Sequence, residues 1–335
     1  MDAIFDFISQ PPLILTWRLF WLIGWFPFLL TLLWGFKEVW MNSIQNKWAG
    51  SQKKVFLAID IPRANIQSPK AVENLFSYIA GAHGAHNLLE KYWIGEIQPS
   101  FSFEIVSIDG YTQFIIRAYE KFRNVAETAI YSQYPDAEIT EINDYTAGMP
   151  REFPDEEWDI FGMEFIQSKR EAYPIKTYEE FEHQFGPLEN QFRDPMAALM
   201  DLMSSLRKGE QIWYQMIVKP IDMNEWTKKG DKEVSKLLKE KVPKNFVDKM
   251  QDSFLEFIEA FSEAVYKLWG DIEPEKKQED TLKMMNLKPK EKKQIEAIHN
   301  KISKIGFACK LRVIYWAKKE VMNKPKFFSG FVGFM

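Results

Sequence analysis

The sequence has 335 residues, with 43 lysines and arginines against 47 aspartates and glutamates, and a formal net charge of −4. This nearly balanced charge is typical of a solvated surface and argues against a protein that coats nucleic acid. The single cysteine, Cys309, excludes an intrachain disulfide and fits a reducing cytoplasm. Because Cys309 lies in an alternating strand pattern, it is predicted to be a small core residue rather than a reactive thiol.

A long apolar segment lies near the start of the chain. No charged residue occurs between Arg18 and Lys37, and leucine, isoleucine, phenylalanine and tryptophan dominate that interval. Extended back to Leu13, the segment reaches the about 20 residues that a helix needs to cross a bilayer. We therefore predict a membrane anchor at residues 1–50 with one transmembrane helix over about residues 13–36. The residues assigned to the span are Leu13, Trp17, Trp21, Trp25, Pro27 and Trp34, with the tryptophans suited to the interface and the proline to a kink.

The surroundings of this segment favour a span over a signal peptide, a buried core helix or an interfacial helix. A signal peptide has a basic start and a small-residue cleavage site, whereas Asp2 and Asp6 open this chain. An interfacial helix would need a strongly polar face, which the segment lacks. Because Lys37, Lys47 and Lys53 follow the segment, the positive-inside rule predicts a single-pass protein of the inner (plasma) membrane with a cytoplasmic C-terminal region.

Residues 51–147 have the element order of a ferredoxin-like domain. Alternating apolar residues predict four strands, and apolar residues at helical spacing predict two helices. Asp109-Gly110 is a hairpin signal between the second and third strands. The predicted strands are Val55–Ile61, Phe101–Ile108, a strand through Phe114, Ile116 and Ala118, and one ending at Ile142, while the helices carry Leu75 and Ile79 and then Ala126 and Ile130. The resulting order β-α-β-β-α-β predicts an α+β protein of the split βαβ, or ferredoxin-like, plan.

Residues 148–335 begin a similar pattern and stop before completing it. Strands are predicted at Ile160–Ile166, Ile212–Val218 and Phe307–Trp316, with a helix through Leu199 and Met203 between the first two. A lysine-rich helical insertion is predicted at about residues 223–305. Because a second ferredoxin-like unit would need one more strand, we predict an incomplete unit that is truncated at the C-terminus. Either a partner or a longer protein would complete it, and the half-complete repeat favours the longer protein.

The sequence contains none of the common catalytic motifs. It has no phosphate-binding loop of the form G-x-x-x-x-G-K-[ST], no dinucleotide fingerprint and no G-x-S-x-G elbow. With one cysteine and four histidines, a structural zinc site of several cysteines is impossible. We therefore predict that the chain is not an enzyme and holds no cofactor.

One cluster of potential metal ligands occurs in the string GAHGAHNLLEKYW. His83, His86 and Glu90 could share one helix face and offer three ligands to a divalent metal. The more ordinary interpretation is a fraying helix end, where small residues pack closely and the histidines cap or form hydrogen bonds. The sequence favours this second interpretation, so the three residues are a weak candidate site and no bound metal is expected.

Four long strings follow one another in the soluble region: AHGAHNLLEKYWIGEIQPSFSFEIVS, DGYTQFIIRAYEKFRNVAETAIYSQYPDAEITEINDY, DPMAALMDLMSSLRKGEQIWYQMIVKP and ISKIGFACKLRVIYWAKKEV. They resemble an uncharacterised bacterial membrane-protein family, a domain of unknown function behind one N-terminal transmembrane helix. In that family the region precedes, or is encoded near, ATPases similar to type IV secretion and conjugation motors and to HerA-like DNA translocases. The resemblance implies neither ATP binding nor any catalytic residue for this chain.

Two functions from different classes fit these observations. The first is a non-enzymatic, membrane-anchored assembly or docking module of a type IV secretion- or DNA-transfer-like system. Its expected partners are the lipid bilayer and either further copies of itself or a motor protein. The second is the nucleic-acid-contacting front end of a DNA-translocating ATPase whose motor domain is missing from this chain. Bases can stack on exposed aromatics of a ferredoxin-like sheet, here Trp93, Tyr111 and Tyr119, but the acidic charge balance makes direct nucleic-acid contact the less favoured interpretation.

Overall fold

A computed structural model of the chain describes residues 14, 17, 20–62, 67, 69–177, 196–238 and 289–334. The described residues form an α+β structure, which confirms the predicted fold class. Every strand overlaps the position that the alternating pattern predicts for it. The strands are β1 (Lys54–Asp60), β2 (Phe101–Ile108), β3 (Tyr111–Tyr119), β4 (Glu138–Ile142), β5 (Trp158–Phe165), β6 (Glu210–Pro220) and β7 (Phe307–Lys318).

The α-helices lie before, between and after these strands. They are α1 (Trp25–Ser51), α2 (Pro69–Ala80), α3 (Arg123–Tyr131), α4 (Ala197–Ser204), α5 (Met223–Leu237), α6 (Pro289–Ile302) and α7 (Lys324–Phe334). Two π-helical turns, Phe20–Gly24 and Glu90–Ile94, precede α1 and follow α2. Helices α5 and α6 lie within the predicted insertion and pack on each other through Trp226, Val234 and Ile298. Residues 239–288 of that insertion lie outside the described part of the chain.

The seven strands form one antiparallel sheet in the order β4-β1-β3-β2-β6-β7-β5. Strands β2 and β6 join the two halves along their whole length, from the pair Phe101 and Val218 to the pair Ile108 and Gln211. One continuous sheet therefore contains strands from both of the units predicted from the sequence. The division into units at residues 51–147 and 148–335 stays a prediction.

Two hydrophobic clusters lie between the sheet and the helices. Helices α2 and α3 cover the first half, where Leu57, Ile79 and Ile130 are fully buried. Helices α4 and α7 cover the second half, where Leu199, Met203 and Phe331 are fully buried. Because burying each such side chain stabilises the fold by about 1.5–3 kcal/mol, these clusters fix which face of each strand points inward.

The opposite face of the sheet is covered by the segment from residue 143 to residue 157. Tyr145 and Met149 of this segment pack against Phe56, Trp213 and Trp316 of the strands. The carboxylates of this segment are mostly exposed. Its apolar side chains nevertheless fasten it to the sheet.

The N-terminal segment differs from the transmembrane helix that the sequence predicts. Helix α1 continues past Lys37 to Ser51, so its second half carries charged and amide side chains. Across the described part of the chain, no helix is both long and apolar enough to cross a membrane. Of the residues assigned to the span, Leu13 lies outside the described part, whereas Trp17, Trp21, Trp25, Pro27 and Trp34 lie within it and are all exposed. The apolar spacing ends near Phe36, so it gives no sign that the helix continues through polar residues to Ser51.

The prediction that Cys309 is a core residue is wrong, because the cysteine is exposed. It pairs with Val218 near the start of β7. The residues of β7 that the helices bury begin only at Val313. Alternation along a strand tells which face a side chain occupies, but not whether a helix covers that part of the face.

Candidate functional site

The first half of α1 presents a large exposed apolar surface. Leu32, Phe36 and Val39 expose 70%, 69% and 72% of their surface, and the apolar residues between them are similarly open. Exposed apolar surface on this scale marks a site of contact with a partner or with lipid. In the second half of α1, only Met41 is buried among the described side chains of the helix.

The segment from residue 81 to residue 98 holds the middle of α1 against the folded part of the chain. The indole of Trp40 donates a hydrogen bond to the carbonyl oxygen of Tyr92 at 3.2 Å and packs against the ring of Trp93. Gly95 adopts a φ of 79°, and a Cβ atom there would lie 2.6 Å from the carbonyl carbon of Ile44. Only glycine allows both this left-handed conformation and this close approach to the helix backbone. A cavity of about 540 Å³ lies beside the contact, lined by residues of α1 and by Lys91 and Tyr92.

The histidine cluster predicted from the sequence is only partly assembled. Helix α2 ends at Ala80, so His83, His86 and Glu90 do not share a helix face. His83 turns away, and its Nδ1 atom lies 3.2 Å from Oε1 of Gln98. The structure therefore does not bring His83 into one group with His86 and Glu90, because α2 ends before the histidines. Whether these residues bind a metal stays a prediction.

A different trio lies together in the same segment. His86, Glu90 and Glu96 each offer one ligand atom, and these atoms lie within 4.8 Å of one another. All three residues are half-buried. Glu96 reaches the group because Gly95 reverses the chain and lets the Glu96 amide donate to the carbonyl oxygen of Glu90 at 2.9 Å. Glu96 could not be grouped with His86 and Glu90 from the sequence, because a chain reversal after a π-helical turn does not place ligands at a regular residue interval.

A network of hydrogen bonds between side chains crosses the face of the sheet opposite the helices. The hydroxyl of Tyr145 donates a short hydrogen bond to the carboxylate of Glu104 and accepts one from Gln215 at 2.6 Å. Arg312 donates to Gln215 at 2.6 Å, and Arg117 forms a 3.4 Å ion pair with Glu104. Burial and the neighbouring Glu104 carboxylate raise the pKa of Tyr145, so its hydroxyl keeps its proton. This network holds the segment 143–157 on the sheet. In the sequence, its strand residues can be recognised as polar residues within otherwise apolar strand patterns.

The outer edge of β5 is a third surface of interest. The backbone N–H groups of Trp158 and Ile160 donate to the side chains of Asp155 and Asp159, both at 2.8 Å, and thus point away from β7. No strand among the described residues pairs with this edge. Unpaired strand edges are the sites where another chain can add a strand.

Comparison with known proteins gives one match. A family model described as a domain of unknown function (DUF8128) matches residues 51–324. No curated protein and no solved structure matches the chain. The matched region begins at the end of α1 and includes the sheet, the helices that cover it and the segment with His86, Glu90 and Glu96.

Proposed function

Because the chain belongs to the DUF8128 family, a domain of unknown function, we propose from its own geometry that it is a non-enzymatic, membrane-associated assembly and docking module. The observation that carries the proposal is the exposed apolar surface of α1, in which Leu32, Trp34 and Phe36 each expose more than 60% of their surface. Removing such surface from water stabilises a complex by roughly 25 cal/mol per Å². A bilayer is an environment that can bury this surface on every side of the helix.

The charges around α1 support an orientation for this proposal. Lys47, Lys53 and Lys54 lie at the end of α1 and the start of β1, on the side of the folded region. By the positive-inside rule, these lysines favour an inner-membrane protein whose folded region faces the cytoplasm. The segment 81–98 would then lie where the helix leaves the membrane.

The strand order supports a ferredoxin-like interpretation of the first half. The order β4-β1-β3-β2, with α2 and α3 on one face, is the arrangement expected of a β-α-β-β-α-β unit. In the second half, β6-β7-β5 with α4 and α7 repeats three of the four strand positions. The fourth position is the outer edge of β5, which we propose as the docking edge of the module.

A second copy of the chain is the occupant that we propose for this edge. The junction of β2 and β6 is already an antiparallel contact between strands in equivalent positions of the two halves. Two β5 edges related by a two-fold axis would repeat this kind of contact between chains. The resemblance to proteins encoded near secretion and conjugation motors suggests an ATPase of that class as a further partner of the assembled module.

Binding of full-length protein to vesicles of phosphatidylcholine and phosphatidylglycerol tests the membrane part of the proposal. We expect the chain to float with the vesicles, and Leu32→Lys to weaken its partition by up to about 100-fold, since moving a lysine into the apolar part of a bilayer costs roughly 3 kcal/mol. Val72→Lys on α2, at a side chain that is 43% exposed, is the control and should float like the unchanged protein. If the unchanged protein stays at the bottom of the gradient, the proposal is wrong.

A nucleic-acid-contacting front end is the second candidate function. Trp93 and Tyr111 expose 74% and 71% of their surface, as base-stacking side chains would. The net charge of −4 opposes this function, because phosphate contacts need a basic surface. Retardation of labelled single-stranded DNA that weakens with salt and is lost in Tyr111→Ala would favour this function over the docking module.

A further inference from the structure

We propose that His86, Glu90 and Glu96 form a binding site for one divalent metal ion of the zinc class. Imidazole nitrogen and carboxylate oxygen are both ligand types that zinc accepts, and three protein ligands leave a fourth position open for water. Imidazole disfavours magnesium and calcium, which prefer oxygen ligands throughout. The site goes beyond the docking function, since it concerns how the segment 81–98 is held.

The spacing of the three residues fits one ion. Their ligand atoms lie within 4.8 Å of one another. Ligands that bind zinc at about 2.0–2.2 Å in a tetrahedral arrangement lie roughly 3.5 Å apart. The ligand atoms therefore need to approach one another by little more than about 1 Å to surround one ion.

The state of His86 is an independent reason to expect a ligand. Its Nε2 atom is buried and has no hydrogen-bond partner among the described residues. Leaving a buried polar nitrogen unpaired is unfavourable, so folded proteins normally give such an atom a partner. A metal ion between the two carboxylates would provide one.

Glu90 is held in place before any ion binds. The Asn87 amide donates to Oε2 of Glu90 at 2.9 Å, and the Glu90 amide donates to Oδ1 of Asn87 at 2.8 Å. This reciprocal pair is a capping box at the start of the short helical segment. Because this pair already orients the Glu90 carboxylate, binding an ion there costs little side-chain entropy.

The place of the site suggests its effect. The three ligands bracket the π-helical turn Glu90–Ile94, whose residues contact Trp40 on α1. His86 precedes this turn and Glu96 follows it, so an ion would join the two ends of the loop. Metal binding should therefore stabilise the contact between this segment and α1.

Zinc content and affinity of the full-length protein test the proposal. We expect about one zinc ion per chain after gel filtration with excess zinc, and retention of zinc in the presence of excess magnesium. His86→Ala and Glu96→Gln should each weaken zinc affinity at least 10-fold, while the matched variant His83→Ala and the variant Cys309→Ser should keep it. Replacing zinc with cobalt gives a second readout, because the visible spectrum of cobalt bound by nitrogen and oxygen ligands differs from that of cobalt bound by a thiolate.

Three outcomes would overturn the proposal. The first is an unchanged protein that retains no zinc, and the second is an equal loss of zinc in His83→Ala and His86→Ala. The third is a cobalt spectrum that shows a thiolate ligand and vanishes in Cys309→Ser. Circular dichroism of each variant separates a loss of zinc binding from a loss of the fold. Glu96→Gln keeps the size of the side chain, so it is the variant least expected to disturb the fold.

Discussion

Ile105 in β2 lies directly opposite Tyr214 in β6, at the antiparallel junction of the two halves of the sheet. On its other side Ile105 pairs with Phe114, just as Tyr214 pairs with Val313. The complete row across the sheet is Ile139, Ile59, Phe114, Ile105, Tyr214, Val313 and Met163. Ile139 of β4 closes the row at one end, and the matching position beside Met163 is unpaired among the described residues.

The outer edge of β5, with which no described strand pairs, predicts self-association of the chain. The N–H groups of Trp158 and Ile160 point away from β7, and by strand alternation that of Gly162 does too. Gly162→Pro removes this outward-pointing N–H group and keeps the hydrogen bonds between β5 and β7. Edge strands accept proline at such positions, because the missing N–H does not face the neighbouring strand. With both proteins in the same detergent, sedimentation velocity should show a dimer for the unchanged chain and a monomer for Gly162→Pro. A monomer in both cases, with native circular dichroism, would contradict the role of this edge.

The hydroxyl of Tyr145 is predicted to hold the segment 143–157 on the sheet. Tyr145→Phe leaves the buried carboxylate of Glu104 without its short hydrogen bond, which should cost about 1.5–3 kcal/mol because one partner is charged. Urea unfolding of the region that contains the sheet measures the loss. Replacing Glu104 with glutamine in the same background should recover part of it, since an uncharged amide is less costly to leave unpaired. Equal stability of Tyr145→Phe and the unchanged chain would show that the hydrogen bond is dispensable.

Local patterns in the sequence predict the strands and helices because each has a regular apolar spacing. Alternation predicts β2 with the same first and last residues that the structure has. Asp109-Gly110 forms the predicted hairpin, with both residues at positive φ. The junction of β2 with β6 could not be predicted this way, since pairing between distant strands leaves no local signal. For the same reason the sequence did not bring Glu96 to His86, and it wrongly placed Cys309 in the core.

Gly95 is predicted to be required for the contact between the segment 81–98 and α1. In Gly95→Ala, the positive φ costs roughly 1–2 kcal/mol, and the new Cβ atom forces the segment away from the carbonyl of Ile44. We expect a changed fluorescence of the Trp40 and Trp93 pair and faster proteolysis of the segment. Gly84→Ala is the matched control, because its Cβ atom would meet only His86 at 3.8 Å. If both variants behave alike, the close approach at Gly95 is not what holds the segment.

The buried pair of Tyr315 and Glu210 predicts how stability depends on pH. The Tyr315 hydroxyl donates to Glu210 at 2.6 Å, and both residues are almost fully buried. Although burial by itself raises the pKa of Glu210, hydrogen bonds from Tyr315 and Arg207 lower it below its ordinary value. A carboxyl whose pKa is lowered by folding stabilises the protein above its unfolded pKa of about 4.3, and this contribution is lost as the pH falls through the folded pKa.

Tyr315→Phe should therefore destabilise the sheet at neutral pH and move its acid unfolding to higher pH. Near pH 7 we expect a loss of about 1.5–3 kcal/mol, because the buried carboxylate keeps Arg207 but loses its closest donor. Below the folded pKa, where Glu210 is protonated in both proteins, the difference should shrink. Thermal melting as a function of pH measures both effects, and Tyr131→Phe, at an exposed side chain of α3, serves as the control. The Tyr315 hydroxyl also accepts a hydrogen bond from the Asn323 amide at 3.1 Å. A stability difference that does not change with pH would show that the loss comes from this bond and not from the charge of Glu210.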